Sequence, residues 1–278
     1  MKLLKIILLL LVTTGLFGIF DDYEPSPRAR ALGGAFYSVS NDANAIFYNP
    51  AGLATTDDNL VIGSTKVMGN DFQVLSTVAF SMKLPKKFGT LGIGLQAMDV
   101  EFMDITLESE KIYALSHSFT LLKDVHSEIY FGYVANMYHL SIDSFGNQPT
   151  FGVNIGALAI LHQRTRLGFA VTNLNNPKVG VDNSHDLPQK LAVGISYIPY
   201  QNLTTSLELK KGFADVTEIH AGIEMEVFKA MTLRFGARNN PNSFSGGVGF
   251  HVYDIILDYG FNTHIAGDTH HFGLGYKF

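Results

Sequence analysis

The chain has 278 residues, 46% of them hydrophobic and only 16% charged, against about 25% charged in an average soluble domain. Cysteine and tryptophan are both absent, which excludes disulfides, zinc–thiolate sites, thiol nucleophiles and a lipoprotein anchor. A formal net charge of −5 offers no basic face to nucleic acid, so no nucleic-acid partner is expected.

Lys2 and Lys5 precede an apolar run from Ile6 to Val12, and small residues follow at Thr13, Thr14, Gly15 and Gly18. This is the outline of a secretory signal peptide over residues 1–18. The apolar run is far shorter than the ~20 residues that an uncleaved membrane anchor needs. Cleavage after Gly15 or Gly18 removes both lysines and leaves a more acidic, exported chain.

Residues 19–58 follow no strand pattern. Pro25 and Pro27 lead into Arg28-Ala-Arg-Ala-Leu-Gly33-Gly34-Ala-Phe36, then Asn41-Asp42-Ala-Asn-Ala-Ile-Phe-Tyr-Asn49-Pro50-Ala51-Gly52-Leu53. Gly and Pro punctuate a stretch of small residues, and a segment of this size ahead of the first strand is either a linker or a plug folded inward. In Asn49-Pro50-Ala51, Pro fixes φ and its neighbours suit a tight bend.

From residue 59 the pattern becomes alternation. Leu91, Ile93 and Leu95 oppose Thr90, Gly92, Gly94 and Gln96. Leu191, Val193, Ile195 and Tyr197 oppose Lys190, Ala192, Gly194 and Ser196. Ile219, Ala221, Ile223, Met225 and Val227 oppose Glu218, His220, Gly222, Glu224 and Glu226. A period of two sends one set to each face of a strand. Read in this way, strands are predicted at 59–67, 73–84, 89–98, 110–122, 126–141, 149–161, 165–173, 188–198, 202–210, 217–227, 231–239, 243–252, 254–262 and 268–278. Connections after even-numbered strands are tight, and those after odd-numbered ones are mostly longer, notably 99–109 and 174–187.

An even strand count, strands of about 9–11 residues, and alternating short and long connections are the marks of an outer-membrane β-barrel with both termini in the periplasm. A secreted sandwich or solenoid also alternates, but it fills its solvent face with Lys, Glu and Thr. Here many non-apolar positions are Gly, Ala or Ser, as a narrow, crowded lumen requires. The expected fold class is therefore all-β, a transmembrane barrel of about fourteen antiparallel strands over 59–278, preceded by an N-terminal hatch or plug at 19–58. In the last strand Phe272, Leu274, Tyr276 and Phe278 face one way, and His271, Gly273, Gly275 and Lys277 the other. That strand resembles the β-signal of outer-membrane barrels, which implies recognition of His271, Gly273, Tyr276 and Phe278 by the barrel-assembly machinery.

The string Ala31-Leu-Gly-Gly-Ala-Phe36 through Asn49-Pro50-Ala51-Gly52-Leu53-Ala54 resembles the N-terminal hatch of the long-chain fatty-acid transporter FadL superfamily, and more closely its PorV/PorQ branch. The likeness extends through Phe88-Gly-Thr-Leu-Gly-Ile-Gly94, Arg166-Leu-Gly-Phe-Ala-Val-Thr-Asn-Leu174, Leu187-Pro-Gln-Lys-Leu191 and Gly267-Asp-Thr-His270. It implies a fourteen-stranded outer-membrane barrel in which Gly33, Gly34, Asn49, Pro50, Ala51 and Gly52 shape the hatch. It also implies a role in type IX-like protein secretion or surface attachment, with secreted cargo proteins and type IX components as partners beside outer-membrane lipid. The alternative is FadL-like passive transport of a hydrophobic small molecule; a structural barrel without transport is a third reading. The chain is compact for the PorV/PorQ branch, with modest external loops.

On the inner face, Glu218, Glu224 and Glu226 of one strand adjoin Arg234 and Arg238 of the next, with His251, Asp254 and Asp258 further round. Opposite charges there can pair across strands, and their near balance gives little ion selectivity. The 126–141 strand is apolar on both faces, Tyr130, Val134, Tyr138 and Leu140 against Phe131, Tyr133 and Met137, and its inner side is expected to pack Phe36, Ile46 and Phe47 of the hatch or to line an apolar pocket. His117 is in phase with Tyr113, Leu115 and Phe119, with no serine nucleophile placed beside it, so no catalytic set of nucleophile, base and orienter is assembled. His264, His270 and His271 cluster in sequence, yet His270 and His271 sit on opposite faces, whereas a metal needs ligands converging at ~2.0–2.1 Å. No enzyme activity, cofactor or metal is expected.

Overall fold

The structure is a computed structural model that describes residues 20, 24–69, 73–85, 87–103, 105–142, 149–180, 185–213, 216–264 and 267–278. The expected signal peptide at 1–18 lies outside the described residues.

Fourteen of the alternating segments close into one antiparallel barrel. Seven strands come first: β1 (Asn59–Lys66), β2 (Gln73–Lys83), β3 (Thr90–Phe102), β4 (Ile105–Lys123), β5 (Ser127–Ser141), β6 (Thr150–Leu161) and β7 (Thr165–Thr172). After a two-stranded ladder of β8 (Lys178–Val179) and β9 (His185–Asp186), the barrel resumes with β10 (Lys190–Tyr200), β11 (Leu203–Gly212), β12 (Thr217–Phe228), β13 (Met231–Arg238), β14 (Ser243–Val252), β15 (Ile255–Asn262) and β16 (Thr269–Lys277). Closure is made by β1 on β16, in register from Asn59 opposite Lys277 to Lys66 opposite His270. A closed barrel leaves no sheet edge.

Two features differ from the sequence expectation. Residues 99–109 were expected to be a long loop, but β3 runs on to Phe102 and β4 begins at Ile105, with a register shift at Val100 and Glu101. The polar Asp99, Ser109 and Glu108 interrupt the apolar alternation there, yet the ladder continues because strand pairing satisfies the backbone whichever side chains it carries. Residues 174–187 contain the β8–β9 ladder, too short to leave a periodic signal.

The burial pattern is inverted relative to a soluble protein. Ile93, Leu115, Leu167, Phe169, Val193, Ile195, Leu209 and Phe235 are exposed, while Arg234, Glu208, Lys210 and His220 are buried. Apolar side chains out and polar ones in, on alternate residues of a closed antiparallel barrel, is the arrangement that a lipid solvent selects. The fold is that of an outer-membrane barrel.

Part of the interior is occupied by the chain's own N-terminal segment. Helix α1 (Pro27–Ala31) starts with the Ser26 side chain accepting from the Ala29 amide and with Pro at its first position, where a missing N–H costs nothing. It packs on β13, β14, β15 and β16. Two 3-10 turns follow. Ala43–Phe47 packs on β1 to β4, and Pro50–Thr55 on β3 to β6. A segment that touches opposed arcs of a closed barrel lies in its lumen.

Candidate functional site

The inward glycines are the track on which this segment sits. A side chain at Gly156 would run into Asn49 Oδ1 and the Pro50 ring, one at Gly132 into the Pro50 carbonyl carbon and Ala51 N, and one at Gly236 into Gly33 N. Their small size, legible in the sequence only as a crowded lumen, is complementary to a specific backbone path.

On the β3–β6 side the contact is apolar. Ile46 and Leu53 cluster with Ala79, Ala114 and Val134, and Ala51 with Tyr130 and Leu158. The inner face of β5 thus packs the N-terminal segment in part, while Tyr138 and Leu140 further along it cluster with Phe20, Val179 and Leu187. Phe36 packs instead with Tyr37, Tyr48, Ala170 and Ala192. Asn49 ties the two parts together: its Nδ2 donates to the carbonyls of Tyr37 at 2.8 Å and of Ala157 at 3.0 Å, and its Oδ1 accepts from Ala51 N at 3.2 Å. Gly33 and Gly34 take φ of +66° and +87°, the left-handed region that costs other residues most, and Gly52 has no room for a Cβ beside the Ser40 carbonyl.

On the β11–β15 side the contact is ionic. Arg28 reaches Glu224 with both Nε (2.7 Å) and Nη2 (2.8 Å), and Asn41 with Nη1 (2.6 Å). Glu224 also accepts from Arg234 Nε at 2.7 Å, and Arg234 Nη1 donates to Asp258 at 2.6 Å. Burial works against the Arg28 charge, but the facing Glu224 carboxylate outweighs it and holds the guanidinium above its ordinary pKa. Nearer the long-loop end, Lys210 pairs with Glu24 at 3.0 Å, Tyr37 N donates to Glu208 at 2.9 Å, and the two nitrogens of His220 contact Gly33 O (2.6 Å) and Glu218 (3.0 Å).

The structure therefore brings together Glu224, Arg234 and Asp258 among the inner charges singled out in the sequence. Arg238 stands opposite His220 in the ladder, Glu226 is exposed at the short-turn end, His251 and Asp258 line a cavity there, and Asp254 sits in the β14–β15 turn. Sequence reasoning did not single out Arg28, Glu24, Glu208 or Lys210. Glu208 and Lys210 share the parity of the inner face, a signal that was present; the roles of Arg28 and Glu24 depend on where an aperiodic segment comes to rest.

The histidines separate as their parity requires. His271 is buried between Thr65 Oγ1 (2.8 Å) and Asn262 Oδ1 (2.9 Å), while His270 meets the Tyr259 hydroxyl at 2.9 Å. His117 Nε2 contacts the Phe88 carbonyl at 2.6 Å and its ring stacks on Phe119. Gly273 lies in the wall, and Tyr276 and Phe278 face outward, Phe278 stacked on Phe80.

Two cavities flank the N-terminal segment. One, of about 90 Å³, lies toward the long loops among Phe47, Tyr48, Tyr138, Asn136 and Asn154. The other, of about 280 Å³, lies toward the short turns among Arg28, Asp42, Glu226, Arg234 and Lys277. Outside the barrel an apolar groove of about 430 Å³ runs over Ile62, Val248, Leu257, Phe272 and Leu274. The lower cavity and the outer groove share two wall residues, Asp258 and Gly273.

The chain matches no protein-family model and no curated protein. Among solved structures it is similar to the CymD monoaromatic hydrocarbon channel, with a TM-score of 0.65 at 14% identity over 91% of this chain and 97% of that one. It is also similar to the Pseudomonas putida toluene transporter TodX (TM-score 0.61, 10% identity, 92% and 97% covered) and to a Pseudomonas aeruginosa FadL homologue (TM-score 0.60, 11% identity, 91% and 98% covered). At such identities the likeness is one of fold. These neighbours are FadL-family outer-membrane channels, and nothing among the matches singles out the PorV/PorQ branch.

Proposed function

We propose that this chain is an outer-membrane channel for small hydrophobic or amphipathic molecules, of the FadL-like kind, with its N-terminal segment as the hatch. The observation that carries this reading is the pair of cavities separated by that segment, the lower one meeting a lipid-facing apolar groove at Asp258 and Gly273. Gly63 faces Gly273 across β1 and β16, and Pro25 and Pro27 of the N-terminal segment back these glycines on the inner side. A small amphipathic solute has somewhere to sit on each side of the barrier, against aromatic rings in the loop-side cavity and among polar groups in the lower one, with a greasy surface beside the latter. The fold shared with channels described as carrying monoaromatic hydrocarbons supports the same reading.

In this scheme Gly33, Gly34, Asn49, Pro50, Ala51 and Gly52 set the hatch's path, and the Glu224, Arg234 and Asp258 network holds it. His271, Gly273, Tyr276 and Phe278 form the strand read by the barrel-assembly machinery, and both ends of the barrel chain face the periplasm. Catalysis has no part in it.

The test is uptake of labelled toluene, p-cresol and glucose by cells carrying the full chain in an outer membrane stripped of its own FadL-type channels. Faster entry of the aromatics with glucose unchanged is expected. Entry of all three alike reduces the protein to a general pore, and entry of none removes the channel reading. Stoichiometric secreted proteins or type IX components co-purifying from the native membrane would instead favour the secretion role implied by the PorV/PorQ resemblance.

A further inference from the structure

The loop-side cavity is lined by two chemistries. Phe47, Tyr48 and Tyr138 supply ring surface, and Asn136, Asn154 and Asn173 supply amides. Purely hydrocarbon solutes need only the rings. Hydrogen bonds already made inside the protein divide the amides by role. Asn173 spends both ends of its side chain, Oδ1 accepting from the Tyr138 hydroxyl at 2.7 Å and Nδ2 donating to the Pro188 carbonyl at 2.8 Å. It also holds a positive φ of +54°, so its place is structural.

Asn154 and Asn136 are different. Asn154 Oδ1 accepts from Asn173 N at 2.9 Å, which fixes the amide's orientation and leaves its Nδ2 donors. Asn136 makes one long bond, Nδ2 to the Tyr138 hydroxyl at 3.4 Å, and keeps its carbonyl oxygen. Neither side chain has a further partner among the described residues. Both residues are at least nine-tenths buried, where an amide without a partner is costly. They stand on neighbouring strands, Asn154 opposite Val134 and Asn136 opposite Gly152 in the β5–β6 ladder, so both face the lumen within one step of each other.

The volume narrows the solute further. A cavity of roughly 150 Å³ encloses a benzene ring. At about 90 Å³ this one holds a single small ring only with part of it at the mouth, and it has no room for an acyl chain. One glutamate, Glu24, and one lysine, Lys190, line it; Glu24 is paired to Lys210 and Lys190 is likewise engaged within the protein, so neither is left over to hold an ion and a neutral solute is favoured.

We infer that this cavity is a binding site for a small neutral hydroxylated aromatic of the phenol type. Its ring lies against Phe47, Tyr48 and Tyr138, and its hydroxyl donates to Asn136 Oδ1 while accepting from Asn154 Nδ2. This rests on the channel reading and names the solute class that the channel selects. Such a site discriminates against the analogue lacking the hydroxyl, because the amides are then left buried and unpaired.

The experiment is equilibrium dialysis of the detergent-solubilised full chain against p-cresol and p-xylene, which differ by one hydroxyl in place of one methyl. p-Cresol is expected to bind on the order of tenfold more tightly, and N136L and N154L each to abolish that preference without weakening p-xylene. The milder N136S and N154S, with the barrel's heat-modifiable gel mobility as the folding check, cover a leucine variant that fails to assemble. Equal binding of the two solutes, or a preference that survives in the asparagine variants, overturns the inference. Uptake of both aromatics by cells alongside equal binding removes only the phenol selectivity; absence of both uptake and binding removes the channel reading with it.

Discussion

Arg28 of the N-terminal helix and Glu224 of β12 form a two-pronged ion pair, at 2.7 and 2.8 Å, across 196 residues of sequence. The carboxylate is shared with Arg234, which is 2% exposed and reaches on to Asp258. The helix is thereby joined to a network spanning β12, β13 and β15, and the network in turn loses its outermost cation if the helix leaves.

Arg28→Met is expected to loosen the N-terminal segment without preventing barrel assembly. Glu224 keeps Arg234 as partner, so the cost falls at or below the lower end of the 3–5 kcal/mol seen when a buried pair is broken, at about 2–3 kcal/mol. Single-channel recording in planar bilayers should show more frequent conducting events than the parent protein. A Glu224→Gln partner completes a double-mutant cycle, and a coupling energy indistinguishable from zero would show that this ion pair does not hold the N-terminal segment.

Asn49 donates to two backbone carbonyls and accepts one N–H. Asn49→Asp retains the acceptor and loses both donors, so it should be as damaging as Asn49→Ala or worse, each by about 1–3 kcal/mol. Urea unfolding in lipid vesicles measures it. A stable aspartate variant would show that the cap on the Pro50 turn, rather than the link from Tyr37 to Ala157, is what matters.

Gly156→Val places branched carbons where Asn49 Oδ1 and the Pro50 ring now lie. Overpacking of this kind costs about 1–3 kcal/mol, and here it falls on the docking of the N-terminal segment. Protease cleavage at Arg28 or Arg30 should become detectable with the barrel intact. Cleavage no faster than in the parent would mean that the segment finds another path.

Ile195 faces outward at the middle of β10, flanked by Leu167 and Leu207 in the neighbouring strands. Ile195→Arg is expected to cost about 2–4 kcal/mol, the penalty of a cation at the bilayer midplane, measured by urea unfolding from vesicles. A cost below 1 kcal/mol would place residue 195 near a membrane boundary.

Asp124, in the β4–β5 turn, accepts from the amides of His126 and Ser127 at 2.7 Å each, and these bonds hold its carboxyl below the ordinary value of 3.8. A folded-state pKa below the unfolded one adds stability above the unfolded value, and that stability is lost as pH falls through the folded value. The difference in urea midpoint between the parent and Asp124→Asn should therefore be constant at neutral pH and close on acidification below pH 3.8. A difference that widens on acidification would contradict the turn's assignment.

The strands were legible because their signal is local. Lys190 to Tyr197 alternates strictly, and β10 runs from Lys190 to Tyr200; lipid outside and a crowded lumen inside impose opposite chemistries on successive residues. The 99–109 hairpin was not, because a ladder beyond the barrel wall has no buried face to write a period into the sequence. The inner asparagines were likewise unreadable. Asn136 and Asn154 carry the inner parity of β5 and β6, whereas Asn173 follows the end of β7 with the parity of its outward residues, and only the Tyr138 and Pro188 contacts show that it turns inward and is spent while the other two are not.

By itself the sequence determined a fourteen-stranded inside-out barrel, since a period of two and the spacing of turns are properties of consecutive residues. Only the tertiary structure decided what fills it. The course of an aperiodic segment is set by contacts far apart in sequence, Arg28 with Glu224, Asn49 with Ala157, Gly33 with His220, and no period along the chain records them.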